Sequence, residues 1–206
     1  MTDMQYAPLG RSGINVSKVC LGGMSFGKAS PDFHQWTIDQ QGTEQVIGHA
    51  IDRGINFIDT ANCYAFGTSE EYIGQALRNL NVARDQVVLA SKVYFNDGHL
   101  SKEAINREID GTLKRLGTDY LDLYLIHWPA EERHSDAWRQ LDRDTWRAME
   151  RLYDEGVLRA IGVSNFLPHH LLNLFASANI RPMVNEIEFH PGYTQPYVTE
   201  FCRKNG

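Results

Sequence analysis

The sequence lacks the features that would place the protein in a membrane or on nucleic acid. None of its apolar stretches approaches the roughly 20 residues that span a bilayer. Its first residues show neither an apolar signal core nor an Arg-rich amphipathic pattern. The formal net charge of −6 argues against nucleic acid or an anionic membrane as the main partner. We therefore expect a cytoplasmic protein.

Cysteine is also scarce, and its spacing does not fit a disulfide framework. Cys20, Cys63 and Cys202 lie far apart, form no CxxC pair and are odd in number. This pattern is typical of reduced thiols in a cytosolic protein. The adjacent His169 and His170 lie at a predicted helix start and are interpreted as surface residues. No metal site is predicted.

A glycine-rich dinucleotide fingerprint is missing, although strands and helices alternate along the chain. No GxGxxG motif follows the first predicted strand, which argues against a Rossmann fold. The predicted strands are apolar almost from end to end, as in a parallel sheet covered by helices. Landmark residues at four strand ends are spaced by 33, 35 and 37 positions: Asp59, Lys92, His127 and Ser164. Each interval is one βα step, and such regular steps favour a (β/α) barrel.

The predicted elements begin with an amino-terminal hairpin of residues 4–9 and 14–18, joined by the turn GRSG. Six strands are predicted at 19–21, 55–59, 87–92, 121–127, 160–164 and 183–189. Six helices are predicted at 43–53, 69–80, 101–116, 145–155, 168–178 and 196–204. Ser69 and Ser101 are predicted helix N-caps. Residues 27–41 and 130–142 are predicted polar loops.

The stretch INFIDTANCY, residues 55–64, carries the first candidate chemistry. Its apolar run ends at Asp59, and Tyr64 follows in the next loop. This pattern fits an acid–base site, but a helix-capping Asp and a packing Tyr explain the stretch equally well. Lys92 and His127 at the next two strand ends favour the acid–base site. The carboxyl ends of barrel strands meet at one rim, and an unpaired charge there is unfavourable.

These four side chains together can deliver a proton to a carbonyl oxygen. A free Tyr has a pKa of about 10, and we expect the Lys92 ammonium to lower the pKa of Tyr64. Asp59 can pair with that ammonium, and His127 can hydrogen-bond a substrate oxygen. No side chain supplies the hydride that carbonyl reduction needs, so a nicotinamide cofactor is predicted.

The chain resembles the aldo-keto reductase family in six motifs that occur in family order: LGGMSFG, GINFIDTANCYAFGTSEEYIGQAL, LASKVY, LGTDYLDLYLIHWP, GVLRAIGVSNF and VNEIEFHP. The resemblance implies an α/β fold, the (β/α)8 TIM barrel. Residues 1–206 would form one domain with about the first six βα units, behind the hairpin. It also implies NADPH-dependent reduction of an aldehyde or ketone to an alcohol. Asp59, Tyr64, Lys92 and His127 would be the catalytic residues, with Tyr64 as the proton donor.

The resemblance also implies ligand contacts. Ser164 and Asn165 are expected to hold the nicotinamide carboxamide. The other predicted cofactor-binding residues are Gly23, Met24, Asp59 and Glu186. Trp128, together with Tyr64 and His127, is predicted to line the pocket for a small carbonyl substrate. Phe95, Trp36 and Tyr193 are further candidates for an apolar lining.

Three departures from the family pattern qualify these expectations. Glu186 stands where the family carries Gln, so either cofactor binding is weaker or this carboxyl stays protonated. The first half resembles the branch related to potassium-channel β subunits, and the second half the short aldehyde and diketogluconate reductases. A natural and a recombined hybrid both remain open. The chain stops in its sixth helix, so we expect a poor reductase or none, with open sheet edges that promote self-association.

Other functions explain parts of the pattern. Lys92 could form a Schiff base as in barrel aldolases, but only away from an acid such as Asp59. A metal hydrolase would need clustered ligands, and His127, His190 and Asp59 are scattered along the sequence. A non-catalytic, cofactor-sensing regulatory subunit or an inactive fragment of a reductase is the main alternative. A sensor would bind NADPH and turn it over slowly, whereas a fragment would bind nothing.

Overall fold

An antiparallel hairpin opens the chain in this computed structural model, which describes residues 3–94, 102–130 and 137–206. Strand β1 is Tyr6–Pro8 and strand β2 is Asn15–Ser17. The hairpin lies against the amino-terminal side of the later strands, because the Ser17 amide donates to Asn56 Oδ1 at 2.7 Å. The predicted hairpin is therefore confirmed.

Six parallel strands form a curled sheet, and they pair in the order in which they occur in the chain. The strands are β3 Cys20–Gly22, β4 Phe57–Asp59, β5 Val88–Val93, β6 Leu123–Ile126, β7 Ile161–Ser164 and β8 Asn185–Glu186. A parallel sheet in which each strand pairs with the next is the arrangement of a (β/α) barrel. The predicted fold class is confirmed, with six strands forming a half-barrel.

Helices connect the successive strands, as parallel pairing requires. They are α1 Gln40–Asp52, α2 Thr68–Asn79, α3 Lys102–Leu116, α4 Trp138–Asp154, α5 Pro168–Phe175 and α6 Pro196–Asn205. The first five helices each lie between two strands, and α6 follows β8. The alternation of strand and helix predicted from the sequence is therefore present throughout.

The core has two layers, one on each face of the sheet. Successive strand residues point to opposite faces, so Tyr124 belongs to the cluster shared with the helices and Leu125 to the cluster on the other face. That second cluster is small, and Leu9 and Ile14 from the hairpin segment pack against it. The hairpin segment thus covers apolar side chains on the face of the sheet that the helices leave free.

Two helices begin several residues earlier than predicted. α1 starts at Gln40, inside the predicted loop 27–41, because Asp39 Oδ1 accepts a hydrogen bond from the Gly42 amide at 2.9 Å and caps the helix. α4 starts at Trp138, inside the predicted loop 130–142, and buries that side chain. Glycine and charged residues in these first turns resemble loop composition, so the helix starts are set by capping and burial instead.

One predicted strand is shorter than expected, and one predicted N-cap lies outside the described residues. The predicted strand 183–189 is reduced to the two residues of β8. The predicted N-cap Ser101 is not among the described residues.

The three cysteines are free thiols. Within the described ranges, no group of three or more His, Cys, Asp or Glu side chains could hold a metal ion. No described helix has both the length and the apolar character to cross a membrane.

Candidate active site

The carboxyl-terminal ends of the parallel strands form one rim, and polar side chains gather there. Asp59 is the last residue of β4, Lys92 lies one residue before the end of β5, and His127 follows β6. Ser164 and Glu186 end β7 and β8 and are partners in the strand register. Because the strands run parallel, these residues approach one rim from five successive strands.

Lys92 lies at the centre of this group. Its side chain is 1% exposed, and its ammonium forms a close ion pair with Asp59 Oδ2. The same Nζ lies 3.3 Å from the Thr60 carbonyl oxygen, 3.4 Å from the Tyr64 hydroxyl oxygen and 3.3 Å from Glu186 Oε1. A buried ammonium needs such partners, since desolvating an unpaired charge is unfavourable. The structure thus brings three of the four predicted catalytic side chains into direct contact.

His127 joins this group through ring contacts. Its ring lies edge-on to the Tyr64 ring with the centroids 5.7 Å apart, and edge-on to the Tyr94 ring at 5.5 Å. Its amide donates to the Val93 carbonyl at 3.0 Å, and its own carbonyl accepts from Asn165 Nδ2 at 3.0 Å. The backbone and the ring of His127 are therefore both held in place.

Asn62 anchors the loop that carries Tyr64. Its amide donates to the Lys92 carbonyl at 3.0 Å, which ties the loop to β5. Its side-chain oxygen accepts from the Tyr94 amide at 3.0 Å, and its Nδ2 donates to Glu108 Oε2 at 2.9 Å. This role was not predicted from the sequence. The only available signal was a polar residue between the candidate acid and the candidate phenol.

Tyr64 is followed by three residues with positive φ. Ala65, Phe66 and Gly67 have φ values of 46°, 56° and 90°, and only glycine adopts such angles without strain. The Thr68 hydroxyl donates to the Ala65 carbonyl at 2.7 Å and holds the turn. Strained backbone persists where the surroundings over-determine it, and it is concentrated at functional sites. Here the turn allows α2 to begin within four residues of the phenol.

Ser69 is not the N-cap that the sequence predicts, because Gly67 occupies the cap position of α2. Ser69 is buried instead, and its hydroxyl donates to the Gly23 carbonyl at 2.7 Å. The Gly23 amide in turn donates to the Asp59 carbonyl at 2.7 Å. A Cβ on Gly23 would lie 2.9 Å from that same oxygen. This glycine therefore has a packing role, since it lets the loop after β3 approach the strand that carries Asp59.

An ion pair between Glu70 and Arg115 supports β5 on the sheet face opposite Lys92. Glu70, in the first turn of α2, is fully buried and accepts from Ser91 Oγ and from Arg115 Nε, both at 2.6 Å. Ser91 precedes Lys92 in β5, so the two side chains point to opposite faces of the sheet. The pair fixes α2 and α3 against β5. The sequence pattern indicates only that Glu70 is an acidic residue at a helix start.

The electrostatics of Tyr64 differ from the expectation. Burial raises the pKa of Tyr64, the Lys92 ammonium lowers it, and the Asp59 and Glu186 carboxylates raise it further, so the net direction is upward. The prediction of a lowered pKa is therefore wrong for this structure, because burial and two carboxylates outweigh one ammonium. The phenol keeps its proton at neutral pH, as a proton donor must.

The other three groups are also perturbed. Burial lowers the pKa of Lys92, but Asp59 and Glu186 outweigh it, so the net direction is upward and the amine stays charged. Burial raises the pKa of Asp59 above its usual range, against the opposing effect of Lys92. Burial, together with Lys92, lowers the pKa of His127 to about 4. The imidazole is therefore neutral at neutral pH and carries one donor and one acceptor nitrogen.

Several polar atoms at the rim fit the carboxamide of a nicotinamide ring. Asn165 Nδ2 donates to the His127 carbonyl and to Ser164 Oγ, each at 3.0 Å, while its Oδ1 accepts no hydrogen bond within the described ranges. Asp59 Oδ1 is buried and has no partner among the described residues. The Glu186 side chain is 43% exposed. The Asn165 and Glu186 oxygens can accept from an amide NH2, and the Ser164 hydroxyl can donate to its carbonyl.

The remaining predicted ligand contacts lie at the surface. Met24 and Trp128 are exposed, and Trp128 directly follows His127. Trp36 and Tyr193 are exposed as well, and Phe95 is outside the described residues. The structure thus places Trp128 next to the rim and leaves the contribution of the other aromatic candidates a prediction.

Comparison with known proteins gives a consistent result. The sequence profile of the Aldo/keto reductase family matches residues 18–206. Glyoxal reductase of Bacillus subtilis is 43% identical over 166 residues, which are 81% of this chain and 55% of that protein. The 9,11-endoperoxide prostaglandin H2 reductase of Trypanosoma cruzi is 42% identical over 163 residues, 79% of this chain and 53% of that protein. The chain spans about half the length of these curated relatives.

A solved structure extends the comparison to three dimensions. A thermostable aldo-keto reductase, crystallised with the inhibitor epalrestat, superimposes with a TM-score of 0.82 at 32% identity. The match covers 98% of this chain and 70% of the other. The likeness therefore includes nearly every described element, from the hairpin to α6.

Proposed function

This chain belongs to the aldo/keto reductase family, and we propose that its rim reduces an aldehyde or ketone to an alcohol with NADPH as the hydride donor. The observation that carries the proposal is the Lys92 ammonium in contact with both Asp59 and the Tyr64 hydroxyl, beside His127. The reductase names of the relatives support carbonyl reduction, and glyoxal reductase suggests a small dicarbonyl as a test substrate.

Proton delivery is proposed for Tyr64. As negative charge develops on the carbonyl oxygen, the phenol gives its proton to that oxygen and becomes a phenolate. The Lys92 ammonium, 3.4 Å away, stabilises the phenolate at this moment. Asp59 keeps Lys92 charged and pointed at the phenol. The step uses one proton from the protein, which solvent restores to Tyr64.

Substrate orientation is proposed for His127 and Trp128. A neutral imidazole can donate one N–H to the carbonyl oxygen without competing for the phenol proton. Its two edge-on aromatic neighbours limit its rotation. Trp128 would supply apolar contact to the carbon skeleton of the substrate. The substrate class that fits these contacts is a small carbonyl compound with one end at the phenol.

The cofactor contacts are proposed for residues at or just after the ends of β4, β7 and β8 and in the loop after β3. When bound, NADPH supplies the hydride, which carries both electrons to the carbonyl carbon. Ser164, Asn165 and Glu186 would hold the nicotinamide carboxamide through their free donor and acceptor atoms. Asp59 Oδ1 adds a further acceptor. Gly23 and Met24 would contact the cofactor from the loop after β3.

A fluorescence titration of the purified chain with NADPH, followed by turnover of glyoxal, tests the proposal. The proposed function requires saturable NADPH binding and NADPH oxidation that depends on glyoxal. Binding without turnover would contradict the proposal and favour a cofactor-sensing regulatory subunit. No binding would favour an inactive fragment. The rate of glyoxal turnover tests the prediction of a poor reductase, and a parallel NADH titration tests the cofactor preference.

A further inference from the structure

We propose that Cys63 is a positioning residue whose thiol donates to His127 Nδ1 and so keeps the ring proton of His127 on Nε2. The observation is the contact itself, with Cys63 Sγ 3.7 Å from His127 Nδ1. The catalytic consequence rests on the function proposed above, whereas the hydrogen bond is a property of the chain alone.

The backbone on both sides of Cys63 is fixed, so the thiol is directed at the ring by the fold. On one side, the Asn62 amide is bonded to the Lys92 carbonyl at 3.0 Å. On the other side, the Tyr64 amide donates to the Ala61 carbonyl at 3.2 Å. The Cys63 side chain is half-buried between these anchors. Cys63, which lies between Asp59 and Tyr64 in the sequence, therefore contacts His127.

The direction of the hydrogen bond follows from the protonation of both partners. Burial raises the pKa of Cys63 to about 11, so the thiol keeps its proton and can donate. Burial lowers the pKa of His127 to about 4, so the imidazole is neutral and has one bare nitrogen. A thiol is a weak donor and a weak acceptor, and the bare imidazole nitrogen is the better acceptor of the two groups. The favoured arrangement is S–H to Nδ1, with the ring proton on Nε2.

This arrangement matters because a neutral imidazole has only one N–H. With Nδ1 accepting from Cys63, that N–H is on Nε2, the nitrogen that Cys63 does not contact. In the opposite tautomer Nε2 would be a bare acceptor, and it would repel a carbonyl oxygen instead of holding it. Cys63 thereby acts on the substrate through His127 and not by direct contact.

Nitrogen-15 NMR of the histidine side chains in the cofactor-free chain tests the proposal. The His127 signals are identified by their loss in His127→Asn. In the wild-type chain we expect a single tautomer, protonated at Nε2, with Nδ1 shifted as a hydrogen-bond acceptor. In Cys63→Ala, the Nδ1 signal should move towards that of a free acceptor and the Nδ1–H tautomer should become detectable. Cys63→Ser keeps a donor and should restore the wild-type pattern.

Cys202→Ala is the matched control, because this half-buried thiol lies in α6 and contacts Asn185. It should leave the His127 signals unchanged. Circular dichroism checks that each variant is folded. Wild-type His127 protonated at Nδ1, or a Cys63→Ala spectrum identical to the wild type, would overturn the proposal.

Turnover measurements then connect the tautomer to the reaction. We expect kcat to fall about fivefold in Cys63→Ala, equivalent to about 1 kcal/mol, with near wild-type kcat in Cys63→Ser and unchanged NADPH binding in both. An inactive wild-type chain would refute the proposed reductase function, while the NMR result would still decide the role of Cys63.

Discussion

The two ends of the sheet carry charge clusters of opposite composition. At the amino-terminal end, one carboxylate forms ion pairs with two cations: Asp122 lies 2.7 Å from Arg84 and 3.1 Å from Arg159. Both guanidinium groups also lie over the Tyr120 ring, 4.0 and 3.8 Å from its centroid. At the carboxyl-terminal end, one cation, Lys92, lies between two carboxylates.

The clusters differ in how completely their polar atoms are paired. Both Asp122 oxygens have cationic partners, and Oδ2 also accepts from the buried Leu89 amide at 2.9 Å. At the rim, Asp59 Oδ1 has no partner among the described residues, and the Glu186 side chain is partly exposed. A fully paired cluster stabilises the fold, whereas unpaired buried acceptors are tolerated where a ligand can meet them. From this contrast we expect the amino-terminal cluster to stabilise the fold and the carboxyl-terminal cluster to carry the proposed chemistry.

Replacing a tyrosine with phenylalanine at each end of the sheet should give the largest difference in turnover. Tyr64→Phe removes the proton donor, so we expect glyoxal turnover to fall by about 10²–10⁴-fold with NADPH binding nearly unchanged. Tyr120→Phe keeps the ring between the two arginines and should retain wild-type turnover. Steady-state kinetics and the NADPH titration measure both effects. Near-normal activity in Tyr64→Phe would show that this phenol is only a packing residue.

The amino-terminal cluster should affect stability and not chemistry. Asp122→Asn keeps the shape but removes the charge that pairs with two arginines, so we expect unfolding free energy to fall by about 2–3 kcal/mol. Urea denaturation measures this change, and turnover per folded molecule should be unchanged. Asp119→Asn, an exposed carboxylate three residues away, is the control and should have almost no effect on stability. Equal effects of the two variants would contradict the assignment.

A pH titration of stability should detect the neutral imidazole at the rim. The pKa of His127 falls from 6.5 to about 4 on folding, so between these pH values the unfolded state binds more protons at this histidine than the folded state does. Stability from this group is present above pH 6.5 and is lost as pH falls through about 4, by up to about 3 kcal/mol. Asp59, with its raised pKa, acts in the opposite direction.

Comparing variants isolates the histidine contribution from that of the carboxyls. In urea denaturation series, His127→Asn should gain stability relative to the wild type as pH falls from 6.5 to about 4. His49→Asn removes an exposed histidine of α1 and should keep the wild-type slope. An unchanged slope in His127→Asn would mean that the imidazole is not held neutral by the fold.

The smallest expected effect comes from the second carboxylate at the rim. Glu186→Gln removes a negative charge 3.3 Å from Lys92 and offers both a donor and an acceptor to a carboxamide. We expect NADPH to bind up to about tenfold more tightly, equivalent to about 1.4 kcal/mol, and the pKa of Tyr64 to fall. Fluorescence titration and the alkaline limb of the pH–rate curve measure these changes. Glu188→Gln, on the same segment, should change neither.

Much of the site could be predicted because its residues are marked by local pattern. Asp59, Lys92 and His127 each lie at the end of an apolar run or directly after it, and parallel strands bring such ends together whatever the helices between them do. Tyr64 follows in the loop after the first of these ends. The bounds of α1 and α4 could not be predicted in this way. Asp39 and Trp138 begin those helices through a capping bond and through burial, and neither is visible in composition.

The supporting residues were missed because their partners are distant in the chain. Asn62 pairs with Glu108, 46 positions away, and Glu70 pairs with Arg115, 45 positions away. Each looks like an ordinary loop or helix-start residue until the fold removes it from water. The direction of the Tyr64 pKa shift was missed for a related reason, since burial outweighs the one ammonium that the sequence suggested.

The sequence by itself determined the order of strands and helices and the residues that reach the rim, because hydrophobic periodicity and strand-end position are local properties. Only the tertiary structure decided which atoms stay paired and which stay free. It placed Asp59 Oδ1 in a buried position without a partner in the described ranges and set Cys63 against His127. Desolvation and distance between strands decide these features, and both exist only once the chain has folded.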